Sequence, residues 1–426
     1  LGAELRISGG TANVLAVALV GYSVERYRCF VERADVSLRP LTLLFGRNAS
    51  GKSALARALP LVAASSAYQG DSPLALGSPP ARGARYDEVA SRLTHRNALG
   101  FGLRWNANET CEMDVRLREI PEQKRHIVEN LQFRAGDASF ELLYEPDDSE
   151  IDLYRVSGPG LRLRKLVPVS FSGLQPRAVG VPDSVGDRFA RLRTRLAEAG
   201  DAVRWLSAVR LPVETPGHTR ADIGPNGENV AELLATDWAR DRALFKRINP
   251  FYAEMFGEEL CMDGDRLAVQ AIDGPPVPVP IAHTGEGASQ ALAVFVLGAM
   301  AEAGKLGPAP VVVIEQPEMH LHPAAENTLA QFLVDVARSD VRLVLETHSE
   351  NLLLFVQLAV ATGKLRPEQV QMYFVRRMTG GGGSVADPIA LDDLGRPDNW
   401  PAGVFSEDVK TARDLLLARR GKVHES

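Results

Sequence analysis

With 426 residues, the chain has room for two or three domains, or for one large nucleotide-binding domain with insertions. Its 45% hydrophobic content supports a substantial core, and its net charge of -6 excludes a protein that is basic overall, so any nucleic-acid contact must come from a local patch. Cys29, Cys111 and Cys261 lie far apart with no metal-ligand spacing and read as packing residues in a reducing compartment.

Residues 1–20 lack the charged n-region and cleavage pattern of a signal peptide and read as an N-terminal extension, disordered or wrongly started. The apolar run Val14 to Val20 is too short to span a bilayer, and no later segment reaches that length, so a cytoplasmic protein is expected. From Gly21 to Phe45, short apolar segments broken by charge and by Pro40 predict antiparallel strands ending in a buried strand over Leu41 to Phe45. That strand runs straight into Gly46-Arg47-Asn48-Ala49-Ser50-Gly51-Lys52-Ser53, and Ala54, Leu55, Ala58 and Leu59 follow at helical spacing. This is a P-loop in its required context. The glycines let consecutive N–H groups and the helix N-terminus face an anion, Lys52 supplies a point charge for the outer phosphates of ATP, and Ser53 is the expected Mg2+ ligand.

After a loop over Gln69 to Gly83, two hairpins are predicted. Leu99 to Trp105 and Cys111 to Leu117 flank a turn at Asn106-Ala107-Asn108-Glu109, and Phe140 to Tyr144 and Ile151 to Val156 flank Pro146-Asp147-Asp148. Together they define an antiparallel subdomain. Between Asp187 and Phe256 the pattern turns helical. Asp187 to Ala199 carries Arg188, Arg191 and Arg195 on one face; Val230 to Ile248 carries Arg240, Arg242, Lys246 and Arg247. Each face reads either as a solvated helix surface or as a contact for a phosphate backbone.

The last third has the clearest α/β character. Val311 to Glu315 is an apolar, β-branched run behind Pro308 and Pro310, and predicts a central parallel strand. A helix over Asn327 to Val336, a strand over Val341 to Leu345, a helix over Leu352 to Ala361 and a strand over Val370 to Val375 follow. Glu315, at the carboxyl end of its strand, is positioned to hold Mg2+ opposite Ser53. Thr284 to Gln290, with Gly285, Gly287, Ser289 and Gln290, opens an apolar helix and forms an anion site or simply a capped helix start. His348, beyond a strand beside that of Glu315, can sense a terminal phosphate or position water, or be structural.

These four stretches, Gly-Arg-Asn-Ala-Ser-Gly-Lys-Ser, Gly-Glu-Gly-Ala-Ser-Gln, Ile-Glu-Gln-Pro-Glu-Met-His-Leu-His-Pro and Glu-Thr-His-Ser-Glu-Asn, resemble in this order the ABC-type ATPases of the overcoming-lysogenization-defect (OLD) and RecF-like group. That group is related to the heads of structural-maintenance-of-chromosomes (SMC) proteins. The resemblance runs from about Tyr22 to Phe405 and includes an ending similar to a C-terminal domain of unknown function. It implies an α/β fold, a P-loop NTPase of ABC-ATPase type with an antiparallel β subdomain and a helical insertion. It also implies a head-to-tail homodimer in which Gly285 to Gln290 of one copy closes over ATP on the P-loop of the other. By position, Glu315 becomes the Walker-B acid, His348 the switch histidine, and His320 to His322 the loop crossing between subunits.

One departure stands out. Gln316 occupies the place of the usual general base, and an amide cannot take a proton from water. Either Glu318 substitutes, or His348 positions the water, or the closed dimer is long-lived and is itself the signal. Gln123, Gln132 and Gln175 are equal candidates for the Q-loop. The expected layout is an extension over 1–20, an N-terminal lobe over 21–180, a helical insertion over 181–262, a C-terminal lobe over 263–376 and a small module over 377–426, with no fused nuclease. The expected function is ATP-driven dimerisation that regulates a separately encoded effector in anti-phage defence. The alternative is a clamp that binds duplex DNA through Arg188, Arg191, Arg195, Arg240 and Lys246.

Overall fold

The computed structural model describes residues 17–94, 98–106, 110–146, 151–213 and 222–401. Strands β1 (Ala18–Glu25), β2 (Ala34–Ser37) and β3 (Leu41–Phe45) lead into the P-loop and helix α1 (Lys52–Ala67). The single-turn α2 (Tyr86–Val89) precedes seven strands: β4 (Ala98–Asn106), β5 (Cys111–Ile120), β6 (Arg125–Ala135), β7 (Phe140–Glu145), β8 (Leu153–Ser157), β9 (Val167–Ser172) and β10 (Gln175–Ala178). Helix α3 (Asp183–Ala202), β11 (Val203–Leu206), α4 (Val230–Trp238) and α5 (Ala243–Phe256) follow, then the short strands β12 (Glu258–Asp263), β13 (Arg266–Ala271) and β14 (Val279–Pro280). The chain continues through α6 (Glu286–Glu302), β15 (Val311–Glu315), α7 (Pro323–Ala337), β16 (Arg342–Glu346), α8 (Glu350–Ala361), β17 (Val370–Arg377) and β18 (Ser384–Ile389).

The central sheet has the order β11-β15-β16-β3-β17-β18; all neighbours are parallel except β18, which runs antiparallel to β17. Its inner strands β3, β15 and β16 are buried along almost their whole length because both faces are covered. Val311 and Val313 face a core shared with Leu55 and Leu59 of α1 and Phe189 and Leu192 of α3, whereas Val312 and Ile314 face one shared with Phe295 of α6 and Phe332 of α7. A second sheet, nine-stranded and antiparallel, has the order β10-β9-β8-β7-β6-β5-β4-β1-β2. On β5, Cys111, Met113, Val115 and Leu117 are buried while Glu112, Asp114 and Arg116 alternate with them, the pattern of a sheet with one wetter face. None of the described helices is long and apolar enough to cross a membrane.

Both predicted hairpins form, with β4 antiparallel to β5 and β7 antiparallel to β8. Their turns fall at residues 107–109 and 147–150, outside the described residues. Several boundaries differ from expectation. The extension over 1–20 includes the start of β1, because Ala18 and Leu19 are buried and pair with β4; residues 1–16 lie outside the described part. Strand β3 does not end the antiparallel array; it inserts between β16 and β17 of the other sheet. The stretch 181–262 is helical in α3, α4 and α5 and also supplies β11, an edge strand of the central sheet. The single helix expected over Val230 to Ile248 breaks before α5, where Arg242 takes a left-handed φ of 58°. The module over 377–426 contributes β18, and Trp400 stacks on Phe45 at 5.4 Å; its residues 402–426, including the end of the resemblance, are outside the described part.

Candidate nucleotide-binding site

The loop after β3 curls as its glycines require. Gly46 (φ 148°) and Gly51 (φ 111°) take conformations that favour glycine, and a Cβ would lie 2.2 Å from the Val375 carbonyl oxygen at the first and 2.5 Å from Cys29 Sγ at the second. Between them Arg47, Asn48, Ala49 (φ 57°) and Ser50 complete the turn. Helix α1 then starts without a side-chain cap, which leaves its first N–H groups available to an anion. The Lys52 ammonium is folded back onto its own loop and donates to the carbonyls of Gly46 at 3.0 Å and Arg47 at 2.8 Å. Burial draws its pKa down, and the carboxylates of Glu346 and Glu318 oppose that shift.

The acids sort themselves by strand. β16 is the immediate neighbour of β3 and β15 is one strand further out, with Glu315 and Glu346 paired in register at the carboxyl ends. Ser53 Oγ donates to Glu346 Oε1 at 2.5 Å. Glu315, expected opposite Ser53, instead receives a two-pronged contact from Arg57 (Nε to Oε1 2.6 Å, Nη2 to Oε2 2.5 Å) and a bond from Trp205 Nε1 at 2.9 Å. Ser53 and Arg57 are four residues apart on α1, so they share one helix face and meet the two strand ends in turn. In the structure Ser53 therefore bonds Glu346, while Glu315 bonds Arg57 and Trp205. Burial raises the Glu346 carboxyl to about 7, and the charge of Glu315 adds to the rise, against the Ser53 hydrogen bond.

Beyond β15, Gln316 takes a left-handed φ of 44°, and its N–H bonds the Glu346 carbonyl at 2.7 Å. Glu318 turns back so that Oε1 accepts from Thr347 Oγ1 at 2.9 Å and from the His348 N–H at 2.8 Å. Its Oε2 is buried with no partner among the described residues, and burial raises its pKa against those two bonds. His348 is exposed; partial burial and the charge of Lys52 lower its pKa. A residue that sequence reasoning missed completes this turn. Arg210, 4% exposed on the loop after β11, donates through Nη2 to the carbonyls of Glu315 at 2.7 Å and Gln316 at 3.1 Å. Burial draws its pKa down to about 10, against the pull of Glu318 and Glu315.

The stretch Gly285 to Gln290 packs against the loop that follows β15. Gly285 caps α6 without a side-chain hydrogen bond, and a Cβ on Gly287 would lie 2.5 Å from the His320 carbonyl oxygen. Ser289 is buried and accepts from the Val213 N–H at 3.1 Å, while Gln290 Oε1 is buried with no partner among the described residues. The three Q-loop candidates do structural work: Gln132 bonds Glu141, Gln123 bonds Arg125, and Gln175 bonds the Ser66 carbonyl of α1. Of the basic faces, Arg188 donates to the carbonyls of Ser139 and Pro159, Arg195 pairs with Glu198, and Arg247 pairs with Glu302. Arg191, Arg240 and Lys246 are exposed.

A nucleotide and a divalent cation fit these residues. Ser50 Oγ, Glu346 Oε2 and Glu318 Oε2 are all buried, without partners among the described residues, and cluster with the uncapped start of α1. The strand order and the loop define an α/β P-loop NTPase fold with a large antiparallel subdomain. Residues 201–354 match the family model described as "AAA domain, putative AbiEii toxin, Type IV TA system". The chain is 25% identical over 142 residues to the Old nuclease of Escherichia phage P2, which is 30% of this chain and 24% of that protein, so it spans less than a third of the relative's length. Similar solved structures include an SMC head bound to the C-winged helix domain of ScpA (12% identical, 88% of this chain and 98% of that one, TM-score 0.48) and the SMC head domain from Thermotoga maritima (11%, 88% and 99%, 0.44). Over part of its length the chain is thus similar to an AAA-type ATPase domain and to an OLD protein.

Proposed function

We propose that the chain binds ATP with Mg2+, hydrolyses it slowly, and closes head to tail with a second copy, and that closure regulates a separately encoded effector in anti-phage defence. The observation that carries this reading is the division of the site. The P-loop cradle and its acids lie at the ends of β3, β15 and β16, whereas α6 starts, without a side-chain cap, from a separate loop of the same chain. A two-fold dimer would bring each α6 start to the partner's nucleotide. In this reading Gly46 to Ser53 hold the phosphates, and Gly285, Gly287, Ser289 and Gln290 complete the site from the other copy. Slow turnover follows from Gln316, which orients water at best; a missing general base costs typically 10²- to 10⁴-fold. Glu318 is the replacement base the geometry supports best, since one oxygen is anchored and the other is uncommitted. Bound Mg2+ would neutralise charge on the phosphates.

The DNA-clamp alternative has weaker support, because Arg188 and Arg195 are engaged within the chain. A Gly285→Glu variant tests the dimer. No atom lies within 4 Å of a Cβ there, so the fold should be kept while a negative charge faces the incoming phosphates. Light scattering should then find ATP-dependent dimers in the wild type and monomers in the variant; dimers in both would overturn head-to-tail closure through α6.

A further inference from the structure

The segment between β13 and α6 is rich in proline and turned wholly outward. Ala271 to Val279 are exposed without a break, and among them stand Ile272 (51% exposed), Val277 (64%) and Val279 (42%). Single apolar residues scattered over a surface are ordinary, whereas three within one exposed loop are the pattern of a contact surface. Pro275, Pro276, Pro278 and Pro280 fix their own φ, and each steers the residue before it away from helix, so the segment is held extended by covalent sterics. The structure agrees: a tight turn from the Val277 N–H to the Pro275 carbonyl at 2.8 Å leads into extended residues, and Pro280 has φ -53° and ψ 135°, polyproline values. Strand addition is a poor use of this edge. β14 ends its three-stranded sheet, but Pro278 and Pro280 on either side of Val279 bring no N–H to a further strand. What the loop offers a partner is side chains on a preset backbone.

Resting on the reading that the chain regulates a separately encoded effector, we propose that Ile272 to Pro280 is the segment on which that effector docks, through an aromatic-lined groove of the kind that reads extended proline-rich chains. Such a groove takes a preformed chain at little cost in ordering entropy, and it buries proline rings and their aliphatic neighbours against aromatic faces. Asp273, exposed within the loop, and Glu258, at the adjoining end of β12, make its surroundings acidic, so the matching groove carries basic residues on its rim. The position ties the partner to the nucleotide site. Ile281 is 3% exposed and anchors the chain directly after the loop, Thr284 Oγ1 donates to its carbonyl at 2.7 Å, and Gly285 then caps α6. An effector on the loop sits a few residues from the helix start that closes over the second copy's nucleotide.

The test takes the full chain, tagged and purified from its own host in the presence of ATP, with a synthetic peptide of residues 271–282 as the probe. One retained protein should bind the peptide with a change in its tryptophan fluorescence, and excess peptide should release it from the chain. Val277→Asp, and separately the pair Pro276→Ala, Pro278→Ala, should weaken that protein's affinity by at least about 10-fold, the scale of losing a central anchor. All three side chains are exposed, so both variants should keep the fold and hold a fluorescent ATP analogue as the wild type does. A retained protein that ignores the peptide and both variants, or no retained protein at all, overturns the docking segment; ATP-dependent dimers in the same preparation would leave head-to-tail closure standing. Peptide that dissolves those dimers with no other protein present makes a second copy the occupant and overturns the assignment too. If the peptide-sensitive protein binds but ATP never dimerises the chain, the docking segment stands and closure falls.

Discussion

Gln316 and Glu318 stand two residues apart and carry opposite predictions. The turn between them is held by the Arg210 guanidinium and by the Gln316 N–H on the Glu346 carbonyl, so a side-chain swap at Gln316 leaves the backbone in place. Gln316→Glu restores a carboxylate where the base is expected and should raise steady-state ATP turnover by at least about 10-fold, while Glu318→Gln should lower it by a similar factor. Phosphate release is the measurement; no change in either would assign water activation elsewhere, to His348 or to the partner copy. Lys52→Ala removes the ammonium in the cradle and should weaken binding of a fluorescent ATP analogue by at least about 10-fold in affinity. These residues were visible as a motif, but their bonding was not. Arg57 and Arg210 had no motif at all; only Arg57's position four residues after Ser53 on the P-loop helix could have drawn attention to it.

At the scale of elements, the loop and the helices around it are shaped by close approach. Gly46→Ala combines a φ of 148° with a 2.2 Å overlap on the Val375 carbonyl oxygen, so β3 and β17 would have to separate. A loss of about 1–3 kcal/mol is expected in urea denaturation from backbone strain alone. Phe332 of α7 meets Phe295 of α6 at 4.7 Å and Phe251 of α5 at 5.3 Å and is fully buried. Phe332→Ala should therefore cost about 3–5 kcal/mol, read in the same experiment, because three helices would share the cavity. Periodicity was enough to find α3, α7 and α8 and the strands β15, β16 and β17, since each is a strongly apolar run or stripe. It did not find β11, whose four residues include Arg204 and Trp205 and carry no alternation that stands out against the helix before it.

Across the whole molecule, two sheets share one α1-centred core. Tyr22 of β1 bonds the Leu55 carbonyl of α1, and the Tyr373 hydroxyl of β17 accepts from the Ser37 N–H of β2. These bonds fasten the antiparallel sheet to helix α1 and to the central sheet. The α/β class, the P-loop, the apolar helix opened by Thr284 to Gln290 and the antiparallel hairpins were legible in the amino-acid order because each depends on local spacing: glycines in a loop, alternation in a strand, apolar residues at helical intervals. Strand order was not, because it is set by which apolar faces meet across hundreds of residues. That order puts β16 between β3 and β15, and so decides that Ser53 meets Glu346 while Glu315 is left to Arg57. The sequence by itself determined that a phosphate-binding loop and several strand-end acids exist; only the tertiary structure decided which acid stands beside it, because hydrogen-bonding distance is a property of neighbouring strands and not of neighbouring residues.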